Sequence, residues 1–285
     1  MATTTQVSTG IPDRVVISAD GTPIAVFSSG DGPPLLLVHG ATADHTTWRT
    51  VGPLLAQSFR IHAIDRRGRG ASGDAAGPYA IEREFEDVVA VAEALAVGTG
   101  RPTGVVGHSY GGRAVLGAAL LSPLVGPLVV YEGAPSPPGT RQGYRPRGVE
   151  QRIRRLVASG DRDGALATFM REVVGMPDDD LAAFRADPIW PSRAAAVDTT
   201  IRELEGEASA AASLAALSRV TQPVLQILGG DSPAVFREAT IALDTSLSDG
   251  RVEMIAGARH AAHHSHPEQF ASVIQGFMTR HRVAD

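Results

Sequence analysis

The chain has 285 residues, of which 43% are hydrophobic, and a formal net charge of −5. This length and apolar content suit one large α/β domain or a domain with an insertion, and the negative charge speaks against a nucleic-acid or anionic-membrane binder. The lack of cysteine excludes disulfides and thiolate metal sites.

Met1 to Gly10 is rich in Thr and Ser and shows neither the basic nor the apolar region of a signal peptide. No apolar run reaches membrane-spanning length, so a cytoplasmic protein is expected. Val15–Ile17 and Ile24–Phe27 flank Asp20-Gly21, a hairpin signal. Leu35–Val38 follows Pro33-Pro34 and reads as a fully buried strand; Arg60–Ile64 reads as the next. Ile81, Phe85, Val88, Val89, Ala92 and Leu95 then recur at helical spacing, with Glu82, Arg83, Glu86 and Asp87 between them. Pro102–Val106 is a short buried strand, and Arg113–Leu121 a buried helix. Leu128–Tyr131, Pro223–Leu228 and Arg251–Ile255 are further strands. Pro267–Arg282 reads as a closing helix with Phe270, Val273, Ile274 and Phe277 on its apolar face. Strands alternating with helices predict a mostly parallel sheet with helices on both faces.

The alternation breaks between Ala134 and Arg219. This stretch opens with Pro135, Pro137 and Pro138, turns helical and Ala/Arg-rich, and holds no strand pattern. The expected organisation is a core made of residues 1–133 and 220–285, with residues 134–219 as a helical cap covering the site. Phe184 and Trp190 are the cap positions expected to influence acyl chain-length preference. Arg141, Arg145, Arg147, Arg152, Arg154 and Arg155 form a basic run. It reads as a solvated face, with docking of an anionic substrate or acyl-carrier partner as the alternative. Asp178-Asp179-Asp180 reads as a helix N-terminus.

The densest signal is Gly107-His108-Ser109-Tyr110-Gly111, a G-x-S-x-G between a predicted strand and a predicted helix. A serine on that sharp turn sits in strained backbone with its hydroxyl exposed above the sheet, and the flanking glycines allow close approach. Other segments fit the same pattern. They are Leu37-Val38-His39-Gly40, the loop Asp65-Arg66-Arg67-Gly68-Arg69-Gly70-Ala71-Ser72, and Gly257-Ala258-Arg259-His260. Together with the order of elements, these motifs resemble the α/β-hydrolase superfamily over most of the chain apart from the insertion. The resemblance implies an α/β-hydrolase fold: a mostly parallel eight-stranded sheet flanked by helices, with a helical cap inserted after the sixth strand.

It also implies a set of roles. Ser109 is the nucleophile and His260 its base. The oxyanion hole is built from the amide of Tyr110 and one from the loop after the third strand, Ala41 in preference to Thr42. The acid is ambiguous. The usual G-x-x-D position after the seventh strand, counted from Gly229, falls on Ser232, and Asp231 lies one residue early. Some family members carry the acid after the sixth strand, where Glu132 stands, so Glu132 is preferred and Asp231 is the alternative. Asp231 or Ser232 otherwise caps the helix starting at Pro233. Asp65 reads as loop-fixing, and His39 as holding its turn. His108 reads as packing behind the elbow, and Trp48, Phe59 and Trp190 as packing groups. His263, His264 and His266 read as a solvated helix start, so no metal and no cofactor is expected.

The implied function is a serine hydrolase acting on a small-molecule carboxylic ester, lactone or thioester through an acyl-enzyme. A cofactor-free perhydrolase of haloperoxidase type, a C–C bond hydrolase and a non-catalytic ligand-binding member remain as alternatives. Serine at the elbow argues against dehalogenases and epoxide hydrolases, which use aspartate there. No nucleic-acid or membrane partner is expected, and the oligomeric state is left open.

Overall fold

Eight strands form one sheet in the computed structural model, which describes residues 10–137 and 148–281. They are β1 (Arg14–Ile17), β2 (Pro23–Ser29), β3 (Pro34–Val38), β4 (Arg60–Ile64), β5 (Thr103–His108), β6 (Val125–Tyr131), β7 (Val224–Gly229) and β8 (Gly250–Ile255). Their order across the sheet is β1-β2-β4-β3-β5-β6-β7-β8. β1 pairs antiparallel with β2, and β2 antiparallel with β4, while all later pairings are parallel. The expected mostly parallel, eight-stranded sheet flanked by helices is therefore the observed one. β3 through β8 point the same way, so the residues following them gather at one edge of the sheet, where ligands bind in open α/β folds.

Strand alternation divides the core into two layers. Leu36 and Val38 face one layer, with Phe85, Val88 and Val91 of the helix Ile81–Ala96 and Ala114 and Val115 of the helix Tyr110–Ala119. Leu35 and Leu37 face the other, with Leu55, Trp48, and Phe270, Ile274 and Phe277 of the helix Pro267–Arg280. Burial on both faces explains why β3 and β4 read as continuous apolar runs. The helix expected over 113–121 starts earlier, at Tyr110, and ends at Ala119. The closing helix ends at Arg280, and Arg282 lies outside the described residues.

The loop after β4 is pinned by buried ionic groups. Asp65 accepts hydrogen bonds from the His45 backbone N–H (2.8 Å), His45 Nδ1 (2.7 Å) and the Ala71 N–H (2.8 Å). Asp44, beside them, caps a short helical turn by accepting from Thr46 N–H (2.9 Å). Arg67 makes two bonds to Asp87, both 2.7 Å. Arg66 pairs with Glu84 through two bonds, 2.6 and 2.8 Å, and its guanidinium lies 4.8 Å from the centre of the Tyr110 ring. His39 is buried; its Nε2 accepts from Arg66 N–H (3.0 Å) while Nδ1 donates to Gly40 O (2.8 Å), which fixes the turn after β3.

Between β6 and β7 the described residues hold no strand. Helices occupy Val149–Ala158, Arg162–Glu172, Asp178–Ala186, Trp190–Ala195 and Val197–Gly206. They share an apolar centre of their own that includes Ile153, Leu166, Phe169, Leu181 and Trp190. Asp178, Asp179 and Asp180 form the first turn of their helix, where the macrodipole favours negative charge. In the basic run, Arg152 pairs with Glu172, and Arg154 with Glu150 (3.0 Å) and Glu205. Pro138, Arg141, Arg145 and Arg147 lie outside the described residues. Among the described residues no helix is long and apolar enough to cross a membrane.

Candidate active site

Ser109 sits between β5 and the helix Tyr110–Ala119 with φ 52° and ψ −122°. A non-glycine residue at positive φ is strained, and the surroundings hold it there. Its N–H donates to Tyr131 O (2.8 Å), tying the elbow to β6, and its carbonyl accepts from Gly112 N–H (2.9 Å). The elbow glycine Gly111 lies against the turn after β3: a Cβ there would sit 2.4 Å from His39 O. The G-x-S-x-G pattern is thus a packing requirement as well as a turn signal.

His260, in the loop after β8, contacts Glu132 directly: Nδ1 lies 2.5 Å from Oε2. The Glu132 side chain has no solvent exposure, and its other oxygen, Oε1, accepts from Gly229 N–H at 2.7 Å. Its backbone has φ 46°. The histidine ring stacks on Phe236 with centroids 4.4 Å apart. Its loop is held from behind: His108 Nε2 donates to His260 O (2.9 Å), the Tyr131 hydroxyl donates to Arg259 O, and Ala262 N–H donates to that hydroxyl (2.9 Å). Donation from Nδ1 to a carboxylate leaves Nε2 as an acceptor, the tautomer a general base needs.

Ser109, His260, Glu132, Ala41 and Tyr110 line one cavity. The backbone N–H groups of Ala41 and Tyr110 have no hydrogen-bond partner among the described residues. Two unpaired amides beside a serine can stabilise a developing oxyanion. Thr42, the other possibility after β3, is buried with φ 59° and does not line the cavity. Apolar walls come from Phe236 and, within the insertion, from Phe169, Val173, Val174 and Leu204.

Several expectations need correction. Asp231 is exposed and outside the cavity lining; its N–H donates to Ala258 O (2.9 Å). Neither it nor Ser232 caps the next helix. That helix is Ala234–Asp244, its N-cap is Pro233 without a side-chain bond, and Ser232 N–H turns back to Gly229 O (3.1 Å). Phe184 and Trp190 do not line the cavity. They pack edge to face, 5.1 Å apart, and Trp190 donates to Asp163 (2.6 Å). His263 is not solvated. It is 2% exposed and its ring lies 4.6 Å from that of His108, 5.4 Å from Trp48 and 6.0 Å from Phe270. Thr200 and Glu203 also line the cavity and carry no motif that singles them out in the sequence.

Burial holds His39, His108 and His263 well below the usual histidine value, and nearby charges add to this: Arg66 for His39, His260 for His108, His264 for His263. His264 is pushed down to about 4, chiefly by burial and then by Arg49. These imidazoles are neutral when folded, so the unfolded chain binds protons first as pH falls below about 6.5. Their contribution is complete above that pH and is lost below it, at up to about 1.4 kcal/mol per pH unit for each fully buried ring. Thermal melts should show a clearly lower Tm near pH 5 than near pH 7.5. Equal Tm values would contradict neutral burial of these rings.

A family model described as the Alpha/beta hydrolase family matches residues 35–273. A pimeloyl-(acyl-carrier protein) methyl ester esterase of Edwardsiella ictaluri is 30% identical over 251 residues, covering 85% of this chain and 92% of that protein. A probable oxidoreductase of Mycobacterium tuberculosis, EphD, is 40% identical over 102 residues; these are 34% of this chain and only 17% of that longer protein. Among solved structures, an alpha/beta hydrolase from Sphaerobacter thermophilus is 32% identical with a TM-score of 0.78, covering 93% of this chain and 100% of that one.

Proposed function

The chain belongs to the alpha/beta hydrolase family, and from that premise we propose that it is a serine hydrolase that cleaves a carboxylic ester, lactone or thioester through an acyl-enzyme. The observation that carries this reading is the contact of His260 Nδ1 with the buried Glu132 carboxylate, 2.5 Å, beside Ser109 in one cavity. In the first half-reaction Ser109 Oγ attacks the substrate carbonyl carbon and His260 Nε2 takes the hydroxyl proton. The Glu132 carboxylate accepts the Nδ1 hydrogen bond and stabilises the imidazolium. The N–H groups of Ala41 and Tyr110 bind the oxyanion, and the imidazolium then protonates the departing alcohol or thiol. Water, activated by the same histidine, hydrolyses the acyl-enzyme and frees Ser109. Similarity to the methyl ester esterase supports ester chemistry.

In the same reading, residues 134–219 act as a cap that encloses the acyl group. Phe169, Val173, Val174 and Leu204 support this role, because they bring the insertion to the cavity. The test is a panel of p-nitrophenyl esters of increasing chain length together with simple lactones. Hydrolysis of some of them is expected, and a folded protein inert on the whole panel would overturn the reading. Phe169→Ala should shift the ratio of kcat/KM between long and short esters by tenfold to a few hundredfold, since one methylene of pocket is worth about 1–3 kcal/mol. Trp190→Ala, away from the cavity lining, should shift it far less.

A further inference from the structure

The helix Val197–Gly206 and the residue after it turn Thr200, Glu203, Leu204 and Glu207 toward the cavity. Their spacing of three and four places them on one helical face. A face buried over an apolar pocket is expected to be apolar, yet three of these four residues are polar. Thr200 is 0% exposed and its hydroxyl has no partner among the described residues. Glu203 is 2% exposed, and its two oxygens are unequal. Oε1 accepts from Arg66 and from Arg69 Nη2 (2.8 Å), whereas Oε2 has no partner among the described residues. Buried polar atoms are almost always paired, and leaving one unpaired is unfavourable. None of the steps assigned to Ser109, His260 and Glu132 uses either atom.

We propose that Thr200 Oγ1 and Glu203 Oε2 form a polar subsite for a hydroxyl group on the substrate, an inference that rests on the ester, lactone or thioester reading above. The two arginines fix one carboxylate oxygen, so the other is a preorganised acceptor, and Thr200 one turn earlier supplies a hydroxyl that can donate or accept. The ligand group is neutral. Glu203 is already matched by Arg66 and Arg69, and Arg113 and Glu207, 3.6 Å apart, form a further pair at the cavity. An ammonium would meet that cluster of guanidinium groups, and a carboxylate would meet Glu203 itself. The preferred substrate therefore carries a hydroxyl on an otherwise apolar framework, the apolar part lying against Phe169, Val174 and Leu204.

The test uses the wild-type protein and matched pairs of esters: methyl hexanoate against methyl 2-, 3- and 6-hydroxyhexanoate, and propyl against 2-hydroxyethyl hexanoate. At least one hydroxylated member should be preferred by about tenfold or more in kcat/KM, because a site built around a substrate hydroxyl discriminates strongly against the analogue lacking it. Thr200→Val, which removes the hydroxyl at nearly constant shape, should reduce that preference severalfold, and Glu203→Gln should do the same. Glu203 also pairs with the loop after β4, so its variant is read beside a thermal melt, and Thr200→Val stands without that complication. Hydrolysis of both members of every pair at equal rates would overturn the subsite, and so would an undiminished preference in Thr200→Val. Hydrolysis of a p-nitrophenyl ester or lactone but of neither member of any pair would overturn the subsite alone, whereas inertness on those compounds as well would overturn the reading on which it rests.

Discussion

Ser109→Ala is expected to lower turnover on a hydrolysed ester by roughly 10⁴–10⁶-fold, the scale found when a triad serine is removed. The loss should not be total, because the amides of Ala41 and Tyr110 and the cavity walls remain. Global unfolding should not contribute. The bonds that hold the elbow run through the backbone, from Ser109 N–H to Tyr131 O and from Gly112 N–H to Ser109 O, and an alanine keeps both. A fluorophosphonate probe should add one adduct mass at Ser109 in the wild type and none in the variant. A folded wild-type protein that hydrolyses its ester yet stays unlabelled at Ser109 would exclude covalent catalysis at this residue.

The second large effect is expected at Glu132. Glu132→Gln is nearly isosteric, and Oε1 would keep its bond from Gly229 N–H, now 2.7 Å long. The other terminus would become an amide NH₂ facing His260 Nδ1. That group donates, so the ring would favour carrying its proton on Nε2, the atom that must accept the serine proton. Loss of the carboxylate also removes the charge that stabilises the imidazolium. We expect kcat to fall by roughly 10²–10⁴-fold with little change in Tm. Asp231→Asn, at an exposed position outside the cavity lining, should cost far less. A crippled Asp231→Asn beside a mild Glu132→Gln would reverse the assignment.

Much of the fold was legible because its signals are local. The strands read as apolar runs, since β3 to β7 are covered on both faces, and the elbow read as a glycine pattern, since Gly111 must touch the carbonyl of His39. Glu132 stood out because Ser232 occupies the more usual acidic position, and in three dimensions the carboxylate beside His260 is the one after β6. What was not legible depended on long-range packing. Burial of His263 follows from its approach to Trp48, more than two hundred positions earlier in the chain. The helix after β7 starts at Ala234 with Pro233 as its N-cap and no side-chain cap from Asp231 or Ser232, and Ser232 N–H turns back to Gly229 O. Thr200 and Glu203 sit in a helix of mixed composition, and their polarity becomes unusual only once that helix covers a cavity.

The Glu203 carboxylate has a consequence for protein engineering. It supplies an ion-pair partner to Arg66 and Arg69, and the Arg66 guanidinium lies over the ring of Tyr110. An exchange of the whole insertion for that of another family member, made to obtain a new specificity, would remove this counter-ion. Arg66 would keep Glu84, but Arg69, 3% exposed, would become a buried charge deprived of its partner. Stripping one member from such a pair costs about 3–5 kcal/mol, a large part of the stability of an ordinary domain. Chimeras that retain a carboxylate at this position, or replace Arg69 with a neutral residue, should therefore tolerate the exchange better than a direct graft.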